Sequence, residues 1–218
     1  MSKFEHRALY ILPEEVEPSW EARRRLATAV RTLNERCVRT EADATLLAQA
    51  EKLIEAAIAL LPLGHTASEA FLNGSYAQDP SIYLDRGPLV GRSNPVAPPL
   101  HIQAKDQAVR CEVTLGESYV GAPGMVHGGI LAACFDQVAG YCAVYNHYLG
   151  FTASLEIEYK KPAYLYRELT FTAQVTEAAK RHAVVEAQCR EGDQLLARCQ
   201  GVFVRIKPET GARIFGGG

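Results

Sequence analysis

The sequence predicts an α+β protein: an antiparallel β-sheet wrapped around one long buried helix, with an N-terminal helical extension. Three observations predict it. Roughly residues 128–147 are apolar almost throughout, and a helix that is apolar nearly all round is a buried one. The segments on either side alternate apolar and polar residues, the period-two mark of strands. Those strands follow one another across turn signals, as in a meander.

The elements follow in order. Pro18-Ser19 starts a first helix, with Ser19 as its N-cap and Leu26, Val30, Leu33 and Cys37 at helical spacing. Thr40 caps a second helix in Thr-Glu-Ala-Asp, placing Asp43 at N3 and acidic residues near the positive end of the dipole. Its apolar stripe is Leu46, Leu47, Ala50, Leu53, Ile54, Ala57, Ile58 and Leu61, and Pro62 stops it. These helices are expected to form an antiparallel pair covering something apolar. Residues 63–99, with Pro80, Pro88, Pro95, Pro98 and Pro99 among several glycines, read as a long irregular connection wrapped over the main domain.

From His101 the pattern turns to β. Strands are expected over 108–115, 152–159, 169–175, 183–189 and 195–206, with Leu155, Ile157 and Tyr159 on one face. Glu191-Gly192-Asp193 is a hairpin signal. The expected organisation is a helical pair and connection over 1–99, a β-rich domain over 100–207 and a Gly-rich tail over 208–218.

Composition excludes several classes of function. A net charge of −2, with acidic and basic residues interleaved, gives no nucleic-acid surface. No run approaches the roughly 20 apolar residues of a membrane span, and the N-terminus, with Glu5, Glu14, Glu15 and Glu17, is not expected to act as a signal peptide. A cytoplasmic protein without a membrane partner is expected. The six cysteines include no CxxC pair and no short spacing to histidine, so they read as reduced thiols, with no metal site or cofactor expected.

The chemistry concentrates at residues 121–140. His127-Gly128-Gly129 opens the buried helix, and Asp136 is the one carboxylate inside it. Glycines at a helix start leave unpaired N–H groups approachable, and such donors favour negative charge. A carboxylate on an apolar helix is costly to bury unless it is paired or used.

Gly124-Met125-Val126-His127-Gly128-Gly129 is followed by Asp136, Thr152 in Phe-Thr-Ala-Ser-Leu-Glu-Ile-Glu-Tyr, Lys160-Lys161-Pro162-Ala163, and Gly201-Val202-Phe203-Val204. In this order the motifs resemble the hotdog-fold PaaI-like acyl-CoA thioesterases over about residues 100–206. The resemblance implies hydrolysis of an acyl-CoA thioester, with Asp136 as general base or nucleophile. It makes the Gly128 N–H the donor to the thioester carbonyl and gives Thr152 a part in placing water. His127 either orients the loop or touches the thioester, while Gly129 borders the substrate. Lys160, Lys161, Lys180 and Arg181 become candidate contacts to CoA phosphates. Some members carry an Asn where this chain has Gly121, so an Asn-assisted site does not carry over.

Spacing adds an independent constraint. Gly128 and Asp136 lie eight residues apart, about 12 Å along a helix. Reacting groups must come within about 3–3.5 Å. One helix therefore cannot bring both to one carbon, and a composite site between antiparallel helices of a homodimer, or a dimer of dimers, is expected. The competing readings are a non-catalytic acyl-CoA binding or regulatory module and, less favoured, an enoyl-CoA hydratase or dehydratase. Tyr141, Tyr145, Tyr148 and Tyr159 are read as core or dimer packing.

Overall fold

The computed structural model describes residues 16–66, 69 and 85–206. Two helices, α1 (Pro18–Arg39) and α2 (Ala44–Ala59), precede strands β1 (His101–Lys105) and β2 (Ala108–Thr114). A 3-10 turn, Glu117–Tyr119, leads to helix α3 (Gly128–Tyr145). Strands β3 (Gly150–Tyr159), β4 (Glu168–Ala178), β5 (His182–Glu191) and β6 (Gln194–Arg205) follow. The tail expected over 208–218 lies outside the described residues.

All six strands form one antiparallel sheet in the order β1-β2-β4-β5-β6-β3. Helix α3 connects β2 to β3 and crosses the sheet between them, touching every strand. This is the predicted wrapping. Val109, Cys111 and Val113 of β2, Leu169, Phe171 and Ala173 of β4, and Ala183, Val185, Ala187 and Cys189 of β5 are buried at alternate positions. All of these but Ala183 meet Leu131, Cys134, Phe135, Val138 and Cys142 of α3 in one core. Phe135 packs edge-on to Phe171 with ring centroids 5.1 Å apart. Burying side chains of this size stabilises by about 1.5–3 kcal/mol each. Among the described residues no helix is long and apolar enough to cross a membrane.

Strand β1 is an addition to the sequence reading. Its turn into β2 is Asp106-Gln107, both with positive φ (49° and 65°). Paired positive φ values make the tight hairpin turn whose twist suits antiparallel strands. Lacking the usual glycine, it leaves little trace in the sequence. The β5–β6 turn does carry one, Gly192 at φ 53°.

The N-terminal helices form but do not pack along each other. Helix α1 begins at Pro18 with Glu17, not Ser19, in the cap position. Helix α2 is capped by Asp43, which accepts from the Leu46 N–H at 2.9 Å, not by Thr40. The expected apolar stripe of α1 is not its buried face: Leu26 and Cys37 are exposed, whereas Arg24 and Ala27 are buried. The inward line Trp20, Arg24, Ala27, Arg31 and Glu35 docks through polar bonds. Arg24 pairs at 3.0 Å with Asp85, a carboxylate that Trp20 and Ser93 also hold. Arg31 donates to the carbonyls of Asn94 and Arg92 at 2.8 and 3.2 Å. Helix α2 has no buried residue, and its leucines face outward.

Five thiols lie in the core while Cys37 is exposed, and none is in a disulfide. Burial pushes the thiols of Cys111, Cys134 and Cys189 up to about 12 and those of Cys142 and Cys199 to about 11. A raised pKa removes the reactive thiolate at neutral pH. Under native conditions a thiol reagent should titrate one cysteine promptly and the remaining five only on unfolding. Prompt reaction of a second thiol would contradict this packing.

Candidate functional site

The start of α3 holds the most open chemistry. Four N-terminal amides of a helix lack intrahelical acceptors, and here three of them find partners. The His127 N–H donates to the Tyr119 carbonyl and the Ile130 N–H to the His127 carbonyl, both at 2.9 Å. The Gly129 N–H donates to Nδ1 of His127, the N-cap residue, at 2.9 Å. The Gly128 N–H has no partner among the described residues. Because Nδ1 accepts, a neutral His127 carries its proton on Nε2. The ring thus bonds an amide, not the backbone carbonyl that an orienting histidine would be expected to choose.

The Gly128 carbonyl is fixed too, accepting from the Tyr159 hydroxyl at 2.8 Å. His127 and Tyr159 therefore pin the Gly128–Gly129 peptide from its two sides. Tyr159 was expected among packing aromatics, but it is half exposed and bonded to the helix start. Its place at a strand end, immediately before Lys160-Lys161-Pro162, is the signal that could have marked it.

These groups border an open cleft of about 710 Å³, lined by Gly121, Met125, His127, Gly128, Tyr159 and Lys161 among others. The loop before the helix is tightly folded: the Gly121 N–H donates to Met125 and the Val126 N–H to Ala163, both at 2.9 Å. A Cβ on Gly121 would sit 2.8 Å from the His127 Cα. This position has no room for a side chain, which gives a physical reason for the missing Asn.

Asp136 lies away from that cleft, half-buried on α3, with the Thr152 hydroxyl donating to its Oδ1 at 2.8 Å. Strict alternation from Leu155 and Ile157 would turn Thr152 away from the helix. The register skips one residue between Thr152 and Ser154, pairing Thr152 with buried Phe203. Such a bulge re-aims a side chain, and here it turns Thr152 onto Asp136. Burial and then the Asp136 charge raise the nearby Cys199 thiol.

The four candidate cations divide between the two places. Lys160 and Lys161 line the cleft, with Lys160 Nζ 2.6 Å from Glu158 and both backbone amides on the Leu196 carbonyl. Lys180 and Arg181 lie on the β4–β5 turn, where the Arg181 carbonyl accepts from Arg205 at 2.9 Å. Leu196 and Val204 mark these two ends of β6, about 26 Å apart at the usual rise per residue. Lys180 and Arg181 thus share the Thr152 end and do not reach the Gly128 cleft of the same chain. Among the described residues no His, Cys, Asp and Glu side chains cluster as metal ligands.

A sheet wrapped on one crossing helix, with an open amide at the helix start, defines a hotdog-fold protein. Residues 123–198, which carry most of the cleft lining, match the sequence model of the thioesterase superfamily. The chain is 29% identical over 106 residues to the acyl-coenzyme A thioesterase THEM4 of Rattus norvegicus, covering 48% of this chain and 46% of that protein. It is 32% identical over 101 residues to the acyl-coenzyme A thioesterase THEM5 of Mus musculus, covering 45% and 41%. The chain thus spans less than half the length of these curated relatives. A crystal structure of a thioesterase superfamily protein superposes with a TM-score of 0.71 at 28% identity, over 89% of this chain and 94% of that one.

Gly121→Ala should destabilise the protein by about 1–3 kcal/mol, the usual effect of overpacking, measured by urea denaturation. A change below about 0.5 kcal/mol, the scale of ordinary surface substitutions, would show that the loop yields freely.

Proposed function

We propose that the chain hydrolyses acyl-CoA thioesters as a homodimer or dimer of dimers, releasing the free acid and CoA. The observation that carries this reading is the Gly128 N–H, without a partner among the described residues, over an open cleft, with Asp136 held on the same helix beyond reach of that cleft. The superfamily match and the relatives named acyl-coenzyme A thioesterases support it. The PaaI-like motif order supports the narrower assignment.

In this reading the Gly128 N–H donates to the thioester oxygen as negative charge develops there, the role of an oxyanion-hole donor. Asp136 of the facing protomer either takes a proton from water, which attacks the carbonyl carbon, or attacks that carbon itself to give a mixed anhydride that water then hydrolyses to the free acid and the restored carboxylate. The C–S bond breaks and the CoA sulfur leaves as thiolate, to be protonated. Thr152 keeps the carboxylate aimed by donating its hydroxyl proton to Oδ1. His127 acts by shaping the helix start, with Gly129 committed to its ring.

The dimer reading has support in β3. It is an edge strand with its neighbour β6 on one side, and Phe151 and Tyr159 are 57% and 50% exposed. An open, exposed edge is a template for pairing with another chain. Pairing of two β3 edges would run two α3 helices antiparallel and place Gly128 of one beside Asp136 of the other. Lys180 and Arg181 then join Lys160 and Lys161 around one substrate only across the interface. A hydratase reading is weaker, because His127 bonds a backbone amide in place of a carboxylate.

Free-thiol release from a panel of acyl-CoAs tests the assignment. Asp136→Asn should lower turnover by about 10²–10⁴, the usual worth of a positioned acid–base group. Full turnover in the variant removes Asp136 from the chemistry, and tight acyl-CoA binding without wild-type turnover would favour a binding module. Sedimentation under assay conditions should find a dimer or larger, and an active monomer would overturn the composite site.

A further inference from the structure

We infer that Glu35, on the N-terminal helix, is a positioning residue that clamps the two walls of the cleft and so sets the aim of the Gly128 N–H. The inference rests on the thioesterase reading for its effect on rate, but the clamp itself stands on geometry. One Glu35 oxygen accepts from the Glu117 N–H at 3.1 Å and the Tyr166 hydroxyl at 2.7 Å. The other accepts from the Ser118 N–H at 3.1 Å and the Ser118 hydroxyl at 3.2 Å. Four donors on one carboxylate, from a helix some eighty residues upstream, is a built contact.

The surroundings are shaped to receive it. A Cβ on Gly116 would lie 2.7 Å from a Glu35 oxygen, so glycine is what leaves the space. Tyr166 holds a positive φ of 60° where its hydroxyl meets Glu35, a conformation disfavoured for bulky residues. Burial raises the Glu35 carboxyl, but the bonds from Tyr166, Ser118 and Glu117 outweigh it and hold the group below the usual carboxylate range.

The donors come from the two segments that become the cleft walls. Glu117–Tyr119 runs directly into the loop carrying Gly121, His127 and Gly128, and the Tyr119 carbonyl accepts from the His127 N–H at 2.9 Å. Tyr166 closes the segment that carries Lys160, Lys161 and Ala163. The walls are cross-linked by Val126 N–H to Ala163 at 2.9 Å and Leu165 N–H to Gly124 at 3.0 Å. Glu35 is the side chain that ties both segments to α1. Displacing Glu117–Tyr119 moves His127, and His127 fixes the peptide on which the Gly128 donor depends.

The test compares Glu35→Ala, Glu35→Gln and Gly116→Ala with the wild-type full chain, by acyl-CoA steady-state kinetics and amide hydrogen exchange. Misplacement of about 1 Å can lower a rate by up to about a hundredfold. Glu35→Ala and Gly116→Ala should therefore lower kcat by about tenfold to a hundredfold, with KM changed less than about threefold. Glu35→Gln, which keeps one acceptor oxygen, should fall between them and wild type. Exchange should quicken at residues 117–128 and stay slow in β4, β5 and the body of α3. Unchanged kcat and exchange in Glu35→Ala would overturn the inference, as would loss of protection throughout the sheet. If the wild type hydrolyses no acyl-CoA, the functional reading fails separately, and exchange at 117–128 alone decides the clamp.

Discussion

The structure depends on covering helix α3. The helix has no polar face to turn to water, so burying it requires apolar surface across almost its whole length. The sheet supplies this by curling its strands over the helix from β1 to β3. The helix start is its most exposed part, because the chain must turn there from the sheet into the helix. That exit is where Gly128 and Gly129 lie exposed and one amide has no acceptor among the described residues. The open donor is thus a consequence of how the core closes.

The same constraint divides the chemistry. Asp136 sits two turns along α3, where the sheet is near enough for Thr152 to hold it. A carboxylate among apolar neighbours is tolerable when it is hydrogen-bonded, and the bulge in β3 provides the bond. The helix start faces a different opening, walled by the tight Gly121–His127 loop and the Lys160–Ala163 segment. The helical rise keeps the two apart, so within one chain the amide and the held carboxylate do not meet.

The N-terminal helix attaches by another kind of force. Its inward face presents Arg24, Arg31 and Glu35 to carbonyls, amides and one buried carboxylate. Hydrogen bonds to charged groups are directional and stronger than neutral ones. Such a face fixes where a loop lies more sharply than an apolar stripe, which can slide. This suits an element that ends against the segments bordering the cleft. Helix α2, with its leucines outward, takes no part in that attachment.

The sequence by itself determined the elements with strong local period: the apolar helix from Gly128, the strands around it, the Gly192 hairpin and the eight-residue step from Gly128 to Asp136. That step already separated the two groups along the helix, because helical rise is a local property. The tertiary structure decided what depends on partners far along the chain. It turned Thr152 to the helix through a skipped residue and denied Gly121 a side chain through contact with His127. It also parted Lys180 and Arg181 from Lys160 and Lys161 by the length of the sheet. Helix α1 buries Arg24 rather than Leu26 for the same reason, since Asp85, its partner, lies 61 residues away. Periodicity reports which face is apolar, but only the fold reports which charged groups have found each other.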